Sequence, residues 1–102
     1  MMHLKKYTFP REIKKYFIDD MSGTAQPNYF LFRVDKQKRD QLKVTKLYTY
    51  HIETQRLEKI MHFTNEKYDL DLSEFKIIFE SDSLKEVKDY LVMLSDTKKY
   101  NL

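Results

Sequence analysis

The sequence predicts a single α+β domain in which a mainly antiparallel sheet of about four strands is packed by an N-terminal and a C-terminal helix. Three observations lead to this fold class. The 102 residues suffice for one hydrophobic core and are too few for two. Apolar and polar residues alternate with period two in the middle of the chain, and apolar residues recur at helical spacing near both ends. We therefore expect one domain over residues 1–102.

The N-terminal helix is predicted at about residues 10–21. Pro10 stands near its first turn, where a missing backbone N–H costs nothing. The apolar residues that recur at helical spacing are Ile13, Tyr16, Phe17 and Met21. Gly23 then supplies a stop signal for the helix.

Two strands are predicted next, with a charged connection between them. Residues 28–34 are aromatic and β-branched at successive positions, which suits a strand covered on both sides. Residues 35–41 contain no apolar side chain and are expected to form a solvated loop or strand tip. Residues 42–53 show the clearest alternation in the chain. One face of that strand would carry the apolar residues Leu42, Val44, Tyr48, Tyr50 and Ile52, and Lys46 would be the one charged residue on this face.

A hairpin is predicted to lead into a third strand at about residues 56–64, although residues 54–63 are also compatible with a helix. The paired positions in this register are Ile52 with Leu57, Glu53 with Arg56, His51 with Glu58 and Tyr48 with Met61. Each pair joins two apolar residues or two opposite charges, as cross-strand stabilisation favours. Because Thr54 and Gln55 do not suit a tight turn, we expect a four-residue type I turn over residues 53–56.

The remaining elements are a loop, a fourth strand and the C-terminal helix. The loop is predicted at residues 65–74 and the strand at residues 75–80. Ser83 and Glu86 have capping-box spacing, so the helix should begin there and fray near residues 95–97. Its buried stripe is predicted to contain Leu84, Val87, Tyr90, Leu91 and Leu94. The sheet face expected to receive both helices contains Phe30, Phe32, Val44, Tyr48, Tyr50, Ile77 and Phe79.

The composition argues against most enzyme classes. There is no cysteine, which excludes disulfides and thiolate metal sites. Gly23 is the only glycine, which excludes the glycine-rich loops that cradle phosphates and the turns that present a catalytic serine. We therefore expect a protein that is not an enzyme, with no catalytic residues and no cofactor.

Metal binding is not expected either. The three histidines, His3, His51 and His62, do not have metal-ligand spacing, and pairing of His51 with Glu58 explains His51 better. A cluster of carboxylates lacks the ligand pattern and central glycine of a calcium loop, so we expect a solvated acidic loop. The members of this cluster are Asp69, Asp71, Glu74, Glu80 and Asp82.

Charge is divided unevenly along the chain. The net charge is +3 overall, but residues 1–17 and 33–46 each carry +4 and residues 66–96 carry −5. If the two basic segments converge, they form a patch of seven cations able to contact backbone phosphates. These candidate nucleic-acid-binding residues are Arg11, Lys14, Lys15, Lys36, Lys38, Arg39 and Lys43.

These observations predict a small cytoplasmic, non-enzymatic binding protein with a regulatory or inhibitory role. We expect it to act through a protein partner, since a polarised single domain with an exposed strand edge suits steered association and strand addition. The alternative is a regulator that binds DNA or RNA through the basic patch. Nothing in the sequence resembles a membrane span. The excess of 15 lysines over 4 arginines suggests AT-rich coding, as in a bacterial mobile element or phage.

Overall fold

The structure, a computed structural model, describes residues 11–61 and 66–100, with side chains of the C-terminal helix described as far as Ser95. In this part of the chain six strands precede one helix, α1 (Leu84–Tyr100). The strands are β1 (Tyr16–Met21), β2 (Asn28–Lys38), β3 (Gln41–His51), β4 (Arg56–Lys59), β5 (Lys67–Asp71) and β6 (Ile77–Ser81). A short 3-10 turn, Leu72–Glu74, connects β5 to β6. The α+β class is therefore confirmed, but the prediction of four strands and two helices is wrong.

The sheet is antiparallel throughout, in the order β4-β3-β2-β1-β6. The long strand β3 is paired with two strands along its outer edge. Its first half, Gln41–Thr45, pairs with β5, and its second half, Tyr48–His51, pairs with β4. The turn between β2 and β3 therefore lies at the same end of the sheet as β5, and we call this end the hairpin end.

Helix α1 covers one side of the sheet, which we call the helix face. Val87 and Leu91 of α1 are fully buried against this face. The buried sheet residues beneath them are Ile18, Tyr29, Leu31 and Tyr50. Tyr90 also stacks on Phe79, with ring centroids 4.3 Å apart. The predicted apolar stripe of the helix is thus confirmed.

A second core lies on the opposite side, which we call the aromatic face. Its buried members are Ile13, Phe17, Phe32, Leu42 and Val44. Leu72 and Phe75, from the turn between β5 and β6, pack against them instead of a helix. The predicted single receiving face is therefore wrong, because its residues are divided between two cores.

Two irregularities cause this division: a register shift between β1 and β6 separates Ile77 from Phe79, and a β-bulge in β3 separates Val44 from Tyr48 and Tyr50. Leu31 of β2 is opposite Tyr48, and the next residue, Phe32, is opposite Lys46, so Leu47 is an extra residue. From Tyr48 onward, each side chain of β3 therefore lies on the opposite side of the sheet from the side that uninterrupted alternation would give it. The bulge thus places Tyr48 on the helix face.

The predicted N-terminal helix is wrong over its described part. Residues 11–15 have no regular secondary structure, and the following residues form β1 between β2 and β6. Phe17 is buried on the aromatic face and Ile18 on the helix face. A strand buried on both sides presents a continuous apolar run, which here also satisfies helical spacing.

The hairpin after β3 exists, but its predicted register is wrong. Tyr50 is opposite Leu57, two positions away from the predicted pairing, and the turn occupies residues 52–55. The predicted contact between His51 and Glu58 is nevertheless confirmed, because the two side chains meet diagonally across the strands at 2.9 Å.

The other corrections concern β5 and the ends of α1. Residues 67–71, predicted as part of a loop, form β5, and α1 continues beyond residue 97. Ser83 accepts a hydrogen bond from the backbone N–H of Glu86, as predicted. The Glu86 carboxylate, however, accepts from the Ser81 hydroxyl instead of returning to Ser83, and the Ser81 hydroxyl accepts from the Ser83 N–H.

Candidate functional site

A strongly charged concave surface lies at the hairpin end, on the part of the helix face beyond α1. We call it the basic trough. It consists of five cations with two carboxylates between them, namely Arg33, Lys36, Lys38, Lys43, Lys67, Asp35 and Asp69. A depression of about 420 Å³ around Lys67 adjoins one of about 220 Å³ around Lys38, and both are lined by Lys43 and Asp69.

A second bulge, in β2, assembles the trough. Val34 is opposite Val44, whereas Lys36 is opposite Lys43, so Asp35 is the extra residue. Without this bulge, Lys36 would lie on the aromatic face. The bulge instead brings three of the predicted lysines, at positions 36, 38 and 43, onto one side of the sheet.

Within the described residues, the end of the first basic segment, at residues 11–13, meets the second basic segment at the hairpin end. The Gln37 side-chain amide donates to the backbone carbonyls of Arg11, at 2.7 Å, and Arg39, at 2.9 Å. The Gln37 carbonyl oxygen accepts from the backbone N–H of Ile13 at 2.9 Å. This glutamine, on the opposite side from the trough, therefore fixes residues 11–13 beside the tip of the hairpin.

Carboxylates at the end of β6 nevertheless bind the segment around Lys14. Arg11 forms an ion pair with Glu80, which also accepts from the backbone N–H of Lys14. The backbone N–H of Lys15 donates to Asp82 at 2.9 Å. The predicted N-terminal helix would have placed Arg11, Lys14 and Lys15 on one helix face, and this prediction is wrong because the segment is not helical.

The seven candidate nucleic-acid-binding residues therefore do not all lie on one surface. Three of these residues, all lysines, line the basic trough, and Arg39 lies at the turn beside them. Sequence reasoning missed Arg33 and Lys67. Lys67 alternates with Tyr68, Asp69 and Leu70, and this period-two pattern was the signal that would have placed Lys67 on a strand.

Cations and carboxylates alternate within the trough. Arg33 and Thr45 both hydrogen-bond to Asp35. Burial raises the pKa of Asp35, but these hydrogen bonds and the Arg33 charge outweigh it, and the pKa lies below its usual value. Lys43 lies 3.8 Å from Asp69, with both side chains about 60% exposed (62% and 60%). Among the described side chains, Lys36 forms no ion pair.

The acidic cluster has structural partners. Asp71 accepts from the backbone N–H of Ser73 at 2.9 Å and caps the 3-10 turn, and this hydrogen bond lowers its pKa. Glu80 and Asp82 hold residues 14 and 15, as described above. Within residues 11–61 and 66–100, the structure brings no three potential metal ligands together.

In the part that the structure describes, no helix has both the length and the apolar character needed to cross a membrane. Comparison with protein-family models, with curated proteins and with solved structures gives no match.

Proposed function

We propose that the protein is a non-enzymatic binding protein that binds a protein partner in the basic trough. The observation that carries this proposal is the alternation of charge within one open surface, where Asp35 lies beside Arg33 and Asp69 beside Lys43. A nucleic-acid backbone is uniformly negative and would be repelled by both carboxylates. A protein surface of mixed charge can pair with both signs.

The trough is also suitable in shape. It is a shallow depression on the sheet, and its lysine side chains are exposed. Charged rims of this kind mainly increase the association rate and select among partners. The trough residues face solvent, whereas a catalytic site gathers buried groups around a reacting atom. The regulatory or inhibitory role and the cytoplasmic location stay predictions from the sequence.

The test is quantitative affinity capture from cells that encode the protein. Wild type should recover one protein in stoichiometric amount, and the double variant Lys36→Glu/Lys43→Glu should lose it. Lys85→Glu is the matched control, because Lys85 is exposed on α1 and pairs only locally with Asp89. Recovery of no stoichiometric protein, or equal recovery by the double variant, would contradict the proposal.

Nucleic-acid binding is the second candidate, and the hairpin tip favours it. Lys36 and Lys38 are exposed and form no ion pair with a described residue, and Arg39 adjoins them at the turn. If these cations bind duplex DNA, log affinity should fall with log salt by about 0.9 per phosphate neutralised. The triple variant Lys36→Glu/Lys38→Glu/Arg39→Glu should abolish binding and leave thermal stability nearly unchanged. Binding that survives the triple variant would remove this candidate.

A further inference from the structure

The charges of the basic trough are divided across the sheet. At the hairpin end, residues that are opposite one another on β2, β3 and β5 form rows, and each row lies on one side of the sheet. The two rows on the trough side nearest the tip of the hairpin are Lys36, Lys43 and Asp69, and Lys38, Gln41 and Asp71. In both rows the charge is positive at β2 and negative at β5.

The lysines along β2 keep their charge available. Within residues 11–61 and 66–95, neither Lys36 nor Lys38 forms an ion pair, and both residues are exposed. The adjoining carboxylate, Asp35, accepts hydrogen bonds from Arg33 and Thr45 instead. Negative charge for these two lysines would therefore come from a ligand.

The carboxylates along β5 also keep their charge. Asp71 accepts hydrogen bonds from the side-chain amide of Gln41, at 3.1 Å, and from the backbone N–H of Ser73, at 2.9 Å. Both donors are neutral, so they orient the carboxylate without cancelling its charge. Asp69 lies 3.8 Å from Lys43, and exposed ion pairs of this kind contribute little. Both carboxylates can therefore still pair with a cation of a ligand.

The spacing of these charges matches an α-helix. Two strand spacings, roughly 10 Å, separate β2 from β5, and a helix with its side chains is about 10–12 Å wide. Residues two apart on a strand, such as Lys36 and Lys38, are separated by about 7 Å, and helical residues four apart by about 6 Å. A helix lying along β3 would thus place one flank over β2 and the other over β5. Helix α1 packs on the same side of the sheet at its other end, so this face already accepts a helix.

We propose that the partner presents to the basic trough an α-helix with acidic residues along one flank and basic residues along the other. This inference rests on the proposed function and specifies the segment that the protein partner contributes. The acidic flank pairs with Lys36 and Lys38, and the basic flank pairs with Asp69 and Asp71. A uniformly acidic ligand, whether protein or nucleic acid, would instead be repelled along β5. Lys67, in the next row of β5, limits the arrangement to the two rows at the tip.

The experiment is an NMR titration of the labelled full-length chain with synthetic peptides held helical by a side-chain crosslink. The salt concentration is about 0.15 M, at which exposed charges more than about 8 Å apart are largely screened. The first peptide carries glutamates along one flank and lysines along the other, and the second contains the same residues interspersed on both flanks. The first should bind about fivefold more tightly, because ion pairs form on both of its flanks. A third peptide, with glutamates on both flanks, should bind more weakly than the first.

Asp69→Lys distinguishes the two kinds of ligand by the sign of its effect. It should weaken binding of the first peptide about fivefold and strengthen binding of the third, because its row then carries positive charge throughout. Asp89→Lys on α1 is the matched control, since Asp89 is also an exposed aspartate beside a lysine, and it should change neither affinity. The spectrum of each variant without peptide shows whether it is folded. If Asp69→Lys does not fold, Asp69→Asn replaces it, with a smaller change of the same sign expected.

Three outcomes would overturn the inference: equal binding of the first and second peptides, tighter binding of the third than of the first, or undiminished binding of the first by Asp69→Lys. Any of these results, together with successful capture of a partner from cells, would leave the proposed function standing. Failure of the capture would remove both. Tightest binding by the third peptide would favour a uniformly negative ligand, as in the nucleic-acid candidate.

Discussion

The two ends of the β2–β3 pair differ sharply although both belong to the same strands and the same face of the sheet. Beneath α1, Leu31 is 0% and Tyr50 is 1% exposed. At the hairpin end, the same face of the same strands presents Lys36 and Lys43 to solvent. The helix covers only one end, and the sequence provides apolar side chains only where that cover exists. The uncovered end is thereby left as a charged surface.

The two bulges produce this difference. If β3 alternated without interruption through Leu47, Tyr48 and Tyr50 would share the aromatic face with Leu42. If β2 alternated without interruption through Asp35, Lys36 would leave the trough. The bulge at Leu47 therefore decides to which core Tyr48 and Tyr50 belong, and the bulge at Asp35 decides which cations meet.

The largest expected effect comes from breaking either core. Phe32→Ala on the aromatic face should lower the free energy of unfolding by about 3–5 kcal/mol, and Leu91→Ala beneath α1 by about 2–5 kcal/mol. Both residues are buried and would leave cavities. Urea unfolding measures the loss. The neighbouring Val92, which is 40% exposed, should tolerate alanine within about 0.5 kcal/mol, and a similar loss there would contradict the assigned helix orientation.

Deletion of Leu47 should have a moderate effect, because it removes the extra residue without changing the face of Tyr48. The variant loses a half-buried side chain and the hydrogen bond from Ile60 N–H to the Leu47 carbonyl. We expect a loss of about 2 kcal/mol with the fold retained. Urea unfolding and near-ultraviolet circular dichroism, which reports tyrosine packing, are the measurements. Complete unfolding would be inconsistent with a simple bulge.

Asp19→Asn should give a smaller effect of opposite sign. The folded-state pKa of Asp19 is raised, so the folded protein retains this proton to higher pH than the unfolded chain. The cost of charging Asp19 therefore develops as pH rises through the unfolded and then the folded pKa. Above this range the variant should be more stable than wild type, and below the unfolded pKa the two should be equal. Urea unfolding across a pH series measures the difference between the two proteins. A variant that is less stable than wild type at neutral pH would contradict the prediction.

Arg39→Gly should have the smallest effect, a gain of about 0.5 kcal/mol. Arg39 has φ 57° at the turn between β2 and β3, a left-handed conformation that glycine adopts without strain. Lys38→Gly on the adjoining strand is the control and should lower stability by about 0.5–1 kcal/mol. Thermal unfolding of both variants distinguishes local strain from a general effect of glycine.

The sequence predicted β2, β3, β6 and α1, but not the strands β1 and β5 or the two bulges. The alternation in β3 and the capping spacing at Ser83 were strong local signals, and both elements exist. β1 was misread because a doubly buried strand lacks alternation. β5 is only five residues long, and its charged positions suggested a loop.

The candidate site was predictable in composition but not in geometry. The sequence shows that Lys36, Lys38 and Lys43 are close along the chain. It does not show that Asp35 is a bulge, because no glycine or proline marks that position. The pairing of Arg11 with Glu80 was also inaccessible, since it depends on β6 lying beside β1.

The register of β2 against β3 at Leu47 tests the central claim most directly, because the assignment of Tyr48 and Tyr50 to the core beneath α1 depends on it. NMR cross-strand NOEs on the labelled protein measure this register. We predict contacts of Leu31 with Tyr48 and of Phe32 with Lys46, leaving Leu47 without an opposite residue. Contacts of Leu31 with Leu47 and of Phe30 with Tyr48 would show uninterrupted pairing. That result would contradict the account, because Tyr48 would then lie on the aromatic face.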